Sequence, residues 1–365
     1  MLNHMRPDSS LRPYDDAAHG ENGLLPLLDS LPALPYPTCK ENFTKDNVRV
    51  VLVKNATRPF RFGVQVAEAP SAPRWAEQAR RVEALGYDVL VMPDHIGIQL
   101  AYAPALAAAA CATSRLRIGT LVLATDFRQA ATVANETATL DLLSGGRYEL
   151  GLGVGGSLLN DYALLSQPFE TPGVRVGRFA ESLAAIKRLL SAGPVTVTGQ
   201  HVHLNGLVGF PRPVQQPAPP ILVGAGGKRM LALAARQADI VSVLVAMSPT
   251  GVFDLSELRA EAIDAKIAWI REAAGERFDQ LELHVLLQHL AITDNAAEAQ
   301  AGLSGRWKIA PEEVAASPYA LLGTVDAIVA QLVTRRERFG FSYYTVFDRD
   351  MEAFAPVITA LSELR

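Results

Sequence analysis

Cysteine, charge of one sign and long hydrophobic runs are all scarce in this chain, and each scarcity excludes something. Its 34 Lys and Arg nearly balance 38 Asp and Glu, a formal net charge of −4, and no stretch is strongly basic. Nothing in that balance attracts a polyanion, so no nucleic-acid partner is expected. The two cysteines, Cys39 and Cys111, stand far apart. They make neither a disulfide framework nor a metal pattern, which fits a reducing compartment. The longest apolar run of the body, "APALAAAACA", is too short for a membrane-crossing helix, which needs about 20 residues. The earlier "LLPLLDSLPALPYP" is broken by prolines and Asp29, and no signal core opens the sequence. A soluble cytoplasmic protein with no membrane association is the expectation.

What is present is an ordinary globular composition, 49% apolar over 365 residues. Residues 1–57 are rich in Pro, Asp, Asn and Ser and lack a sustained period. They read as a poorly ordered N-terminal extension, with a partner-binding arm as the sharper alternative. Residues 58–365 read as one domain in which strand and helix patterns alternate. Strand patterns fall at 61–67, 87–95, 116–127, 147–156, 219–227, 239–246, 281–292 and 342–348. Helical patterns fall at 73–86, 102–114, 129–146, 174–193, 228–238, 255–274, 296–303, 324–338 and 351–364, and a hairpin is inserted at 195–204. Eight strands alternating with helices predict an α/β fold, a (β/α)8 TIM-like barrel with insertions. Its site would lie at the C-terminal strand ends, where this sequence concentrates polar residues.

"SGGRYELGLGVGG", residues 144–156, contains G-x-G-x-x-G in Gly151, Gly153 and Gly156. A dinucleotide fingerprint should open the first βαβ unit, run straight into a helix, and be followed by an acidic residue at the next strand end. Here three βα units come first, and "LLNDYALLSQPFETPG" reads as a loop of about 16 residues before the next convincing helix. Gly153, Gly155 and Gly156 read instead as a barrel strand end, free of Cβ atoms so that a planar ring can approach the backbone.

"GYDVLVMPDH", "TSRLRIGTLVL", "ATLDLLSGGRYELGLGVG", "RFAESLAAIKRLL" followed by "VTVTGQHVHL", and "PPILVGAGGKRMLALAARQADIV" occur in this order. Together, over about residues 59–350, they resemble the bacterial luciferase-like monooxygenase superfamily, and within it the coenzyme F420-dependent oxidoreductase group. The resemblance implies a TIM-like barrel, a deazaflavin or flavin at its C-terminal mouth, and a homodimer. Two departures stand out. The family's Arg-His-Pro after strand 3 is here Arg128-Gln129-Ala130, and Gly156-Ser157 takes the place of a frequent Trp.

Under that resemblance His95, oriented by Asp94, becomes the candidate proton donor, since histidine exchanges protons near neutral pH. Thr120 to Asp126 would run beneath the ring, often with a non-prolyl cis peptide in relatives, and Arg128 follows it. Gly224-Ala225-Gly226-Gly227-Lys228 resembles the phosphate-binding turn, where successive backbone N–H groups and a helix N-terminus face an anion. Arg178, with Arg175, begins a helix from which it can reach a phosphate or the acidic tail of a deazaflavin. A salt bridge to Glu181 or another surface carboxylate is the equal alternative for both. Arg147 and Glu149 read as a structural ion pair, Cys111 as inert core, and the histidines at 201, 203, 284 and 289 as no metal cluster, although His289 can face the mouth.

The function expected is hydride transfer between coenzyme F420 and a small-molecule substrate. One alternative is an FMN-dependent monooxygenase fed by a separate flavin or F420 reductase. A second is a non-catalytic barrel acting as a binding protein.

Overall fold

The structure is a computed structural model describing residues 58–156, 159–246 and 254–363. The extension expected over 1–57 lies outside the described residues. Strands run β1 Arg61–Gln65, β2 Val89–Met92, β3 Arg117–Thr120, β4 Leu123–Ala124, β5 Tyr148–Gly153, β6 Pro194–Thr198, β7 His203–Val208, β8 Ile221–Ala225, β9 Ile240–Val243, β10 Glu282–Leu286, β11 His289–Ile292, β12 Ala320–Gly323 and β13 Phe341–Phe347. Helices run α1 Ala72–Ala84, α2 Tyr102–Ala112, α3 Ala130–Leu143, α4 Leu159–Leu164, α5 Pro172–Leu190, α6 Lys228–Gln237, α7 Ala260–Ala274, α8 Ala296–Trp307, α9 Pro311–Ala316, α10 Val325–Phe339 and α11 Met351–Glu363.

β1, β2, the broken strand β3–β4, β5, β8, β9, β10 and β13 are all parallel, and β13 pairs back to β1. This is the closed eight-stave barrel that the alternation predicts. The third stave is broken at Leu121–Val122, a cis peptide between β3 and β4. The inserted hairpin is β6 paired antiparallel with β7. Local signals set the helix ends. Thr324 caps α10 by accepting from the Ala327 N–H at 3.2 Å, and Gly340, at φ +85°, stops it.

The side-chain period of two divides each stave between two cores. Outward residues such as Phe62, Val64, Leu90 and Leu150 pack under the helices. Inward ones, Val89, Val91, Leu121, Leu222, Ile240 and Tyr343, fill the barrel. Each such burial contributes roughly 1.5–3 kcal/mol. The barrel floor is ionic. Arg61 bridges Glu149 and Glu282, and Arg117 also pairs with Glu149. Midway up, His284 lies 2.8 Å from Ser242 Oγ and 2.9 Å from Thr345 Oγ1.

Several expectations are corrected. Strand 281–292 divides at Leu287: β10 stays in the barrel, while β11 leaves it to pair with β12. The apolar run behind β12 is short enough to suit strand or buried helix equally, so it carries no clear period. The loop at 158–173 contains α4. Glu149 does not pair with Arg147, because Arg117 from the neighbouring stave β3 and Arg61 from β1 across the barrel floor hold it. Arg147 donates instead to the carbonyls of Ser144, Leu116 and Ala110. Cys111 is exposed, since only one face of α2 is buried.

Candidate functional site

The second stave ends at Met92, and Asp94 and His95 follow it after Pro93. Adjacent residues point to opposite sides, and the two acquire different partners. Asp94, 7% exposed, accepts from the Ala124 N–H at 2.9 Å and takes Arg128 through both oxygens, at 2.5 and 3.1 Å. Burial alone would lower the Arg128 pKa, but the Asp94 carboxylate outweighs it and holds the guanidinium above its ordinary value. Asp94 therefore locks the broken third stave to the second. It does not orient His95.

The partner of His95 is Asp161, on α4. Its Oδ2 lies 3.2 Å from His95 Nδ1, and its Oδ1 accepts from the Ile96 N–H, also at 3.2 Å. The carboxylate is 6% exposed and the imidazole 16%. A buried acceptor facing Nδ1 selects the tautomer with its hydrogen there, which leaves Nε2 for exchange. Asp161 was not among the sequence candidates. The available signal was one acid in the apolar window "SLLNDYALL".

Asp126 gathers three more groups. It accepts from Tyr162 Oη at 2.7 Å, from Arg175 Nε at 2.7 Å and from Arg178 Nε at 3.1 Å. Arg178 also pairs with Glu170. Arg175 donates to the Gly155 carbonyl at 2.6 Å and stacks 4.3 Å over Phe169. Arg175 and Arg178 both form salt bridges with Asp126, a buried carboxylate where a surface one was expected. Glu181 is taken by the backbone N–H groups of Gln200, His201 and Val202.

The strand-4 glycines are required by protein atoms. A Cβ on Gly151 would strike the Thr120 carbonyl, and one on Gly153 would lie 2.7 Å from Val122 Cγ2. Thr120 is 2% exposed, and its hydroxyl donates to the Gly151 carbonyl at 2.9 Å. Gly155, at φ +94°, sits where a Cβ would lie 2.7 Å from Tyr162 Oη, and Gly156 packs on the Arg175 guanidinium. These positions admit the displaced third stave and the Tyr162–Arg175 cluster, so protein atoms themselves demand the missing Cβ.

At the phosphate-like turn, Gly224 packs on Val122 and Leu244, and the Ala225 carbonyl accepts from the Leu244 N–H at 2.8 Å. Gly226 lies against the backbone of Val245 and Ala246. Gly227 alone in this turn has nothing among the described residues within 4 Å of its Cβ position. It is the N-cap of α6, whose first backbone N–H groups have no partner within the helix. Lys228 is exposed, its Nζ 5.7 Å over the Trp269 ring. By alternation from Gly63, Gln65 faces inward at the mouth. Its Oε1 is buried without a hydrogen-bond partner among the described residues.

His289 sits with its Nε2 3.4 Å from Arg306, and burial, Arg306 and Arg349 together hold its pKa down to about 4. Among the described residues no three His, Cys, Asp or Glu side chains are grouped to hold a metal ion, and no helix is long and apolar enough to cross a membrane. A cleft of about 800 Å³ opens on the rim beside α1 and α11, lined by Glu68, Arg74, Glu77, Arg81 and Asp348 among others. Its cations pair with Glu77 and Glu352. None of the groups around His95 or Gly227 lines it.

The family model described as luciferase-like monooxygenase matches residues 57–340. The chain belongs to the luciferase-like monooxygenase family. It is 32% identical over 192 residues to an F420-dependent glucose-6-phosphate dehydrogenase of Amycolatopsis mediterranei, covering 49% of this chain and 56% of that protein. It is 30% identical over 239 residues to a putative coenzyme F420-dependent oxidoreductase of Mycobacterium tuberculosis, covering 62% and 65%. The chain thus spans between half and two thirds of the length of these relatives. In fold it is similar to the coenzyme F420 dependent tetrahydromethanopterin reductase of Methanopyrus kandleri, with TM-score 0.65, 17% identity, and coverage of 84% of this chain and 100% of that one. For a luciferase-like barrel, the mouth described above is the place where catalytic loops assemble.

Proposed function

We propose that this chain is a coenzyme F420-dependent oxidoreductase that moves a hydride between the deazaflavin and a small organic molecule. The observation that carries the reading is His95, held by Asp161 at the barrel mouth with one nitrogen left for exchange. The names of the similar relatives supply the cofactor class. Two features of the mouth fit a flat, phosphate-bearing cofactor. The orphaned Gln65 Oε1 is an acceptor for a ring N–H. The open N-terminus of α6 at Gly227, with Lys228 beside it, suits a phosphate.

When bound, the deazaflavin supplies the hydride acceptor or donor. The protein positions and protonates. His95 Nε2 takes the proton of a substrate hydroxyl, or returns one to a carbonyl oxygen, while Asp161 stabilises the imidazolium that forms. Arg128–Asp94 and the Asp126 cluster keep the loops after β2, β4 and β5 in register, so the imidazole keeps its place. Lys266, 1% exposed, binds the Leu244 carbonyl and Glu257, which in turn accepts from the Ala246 N–H and fixes the ninth strand's end against Gly226.

Titration of the purified protein with F420 and with FMN, read by fluorescence quenching, tests the reading. Saturable F420 binding is expected. Binding of reduced FMN with oxygen-dependent product formation, and none of F420, selects the monooxygenase alternative. Binding of neither leaves a non-catalytic barrel.

A further inference from the structure

The barrel floor, at the N-terminal ends of the staves, is unfinished within the described residues. The chain enters there: Arg58, just before β1, donates to the carbonyl of Gln280, just before β10, at 2.8 Å. Beside it Arg61 and Arg117, only partly covered, hold Glu149 and Glu282. Glu282 Oε1 is buried without a hydrogen-bond partner among the described residues. Arg117 carries the floor on to Gln215, whose Oε1 accepts from it at 2.9 Å and whose Nε2 donates to the Tyr148 carbonyl at 2.8 Å.

Next to Gln215 the floor ends in an apolar edge. Val214 is 49% exposed, Leu142 49% and Leu143 58%. Singly such residues need no explanation. Here the Val214 N–H donates to Asp141 Oδ2 at 2.7 Å, and Val214 Cγ1 lies 3.3 Å from where a Cβ on Gly146 would stand. All three side chains therefore gather where α3 ends and turns into β5. Apolar surface gathered beside partly open ion pairs is the pattern of a docking surface.

We propose that residues 48–53 of this same chain, "VRVVLV", lie across the floor and bury Leu142, Leu143 and Val214, so that the partner of the N-terminal arm is its own barrel. Five of the six side chains are Val or Leu, which suit a half-buried extended segment. Only Lys54 to Thr57 separate the segment from Arg58 at the floor. Extended, residues 48–57 reach about 33 Å. Eight strands about 4.8 Å apart and tilted by about 36° make a ring only about 15 Å across. The segment thus reaches the far edge of the floor from its own point of entry. Its tether also presents it at about millimolar effective concentration, an advantage that a second copy lacks. Docked there, it takes water off the Arg61 and Arg117 ion pairs, which strengthens them.

Amide hydrogen exchange on the full-length chain, read peptide by peptide, tests this. Exchange over residues 48–53 should be about tenfold or more slower than over residues 1–20, the worth of one buried aliphatic side chain. The protection should persist on dilution, because the contact lies within one chain. Leu143→Asp and Val214→Asp, both at exposed positions, should each bring the exchange of 48–53 close to that of residues 1–20. Ile292→Asp, at an exposed apolar position on β11, should leave it unchanged. Val50→Asp, within the segment itself, makes the same test without touching the barrel: it should release the protection and speed tryptic cleavage after Lys54. Exchange over 48–53 as fast as over 1–20 in the unaltered protein, or protection that survives the Asp variants of the floor and the segment, would overturn the proposal. So would protection lost on dilution, which would make a second copy the occupant.

Discussion

His95 Nδ1 and Asp161 Oδ2 meet at 3.2 Å across 66 residues of sequence, and the same carboxylate holds the next backbone N–H through its other oxygen. One side chain thus orients both the imidazole and the loop that carries it. Asp161→Asn keeps the size but lets the amide donate toward Nδ1, which favours the wrong tautomer. Turnover should fall about tenfold or more, within the roughly 10²–10⁴-fold that a positioned proton donor is worth, and the acid limb of the pH–rate profile should move. Asp161→Glu should restore part of the rate. A variant with unchanged rate and profile would make Asp161 a loop anchor only.

His95→Ala removes the donor itself. Turnover should drop by roughly 10²–10⁴-fold, while the F420 dissociation constant changes by only a few-fold. Side-by-side kinetics and fluorescence titration check both halves. Survival of turnover would hand the proton to solvent or to another group.

Gly227 and Gly226 should behave oppositely. A Cβ at Gly226 would lie 2.9 Å from Ala246 Cα, so substitution there deforms the end of β9. Gly227 is open, with an ordinary extended backbone at φ −90°, ψ 153°. Gly227→Asp should leave the fold intact or raise its stability by a few tenths of a kcal/mol, because Asp is a better N-cap than Gly. The same carboxylate would occupy the anion position and weaken cofactor binding sharply. Thermal melts paired with cofactor titration read the two signs. Unchanged affinity would mean that the turn binds no phosphate.

His284 should make stability fall in acid. Burial, helped by Arg61, holds its pKa down to about 3, against about 6.5 in an unfolded chain. Between those values the unfolded state binds the extra proton, so this contribution is complete above about pH 6.5 and is lost as pH falls toward 3. The slope is at most about 1.4 kcal/mol per pH unit. Urea denaturation at pH 7, 6 and 5 should show it, and His284→Gln, though less stable at pH 7, should flatten it. Equal slopes in the two proteins would sink the assignment.

The eight-stave barrel, the inserted hairpin and the mouth turns were legible in the chain because burial is written locally. A period of two or 3.6 records which face of each element meets the core, and Gly, Pro and Thr mark where it stops. What local pattern cannot carry is which loop meets which. The partners of His95 and Asp126 lie 66, 36, 49 and 52 residues away, and only barrel closure brings those loop ends within hydrogen-bond reach. Glu149 illustrates the same limit. Arg147 adjoins it on the same segment, yet Arg117 from the neighbouring stave and Arg61 from across the barrel floor take the carboxylate. The departure of β11 from the barrel turns on a competing edge at β12, 31 residues on from His289. The glycines of the fourth stave were visible as a motif, but their cause, the backbone of Thr120 and the side chain of Val122 pressed against them, exists only in the folded chain. Sequence determined the barrel staves, their outer helices and which face of each is buried, because those depend on neighbours a few residues away. Tertiary structure decided the charge pairs and the setting of the imidazole, because those depend on distances that chain order does not encode.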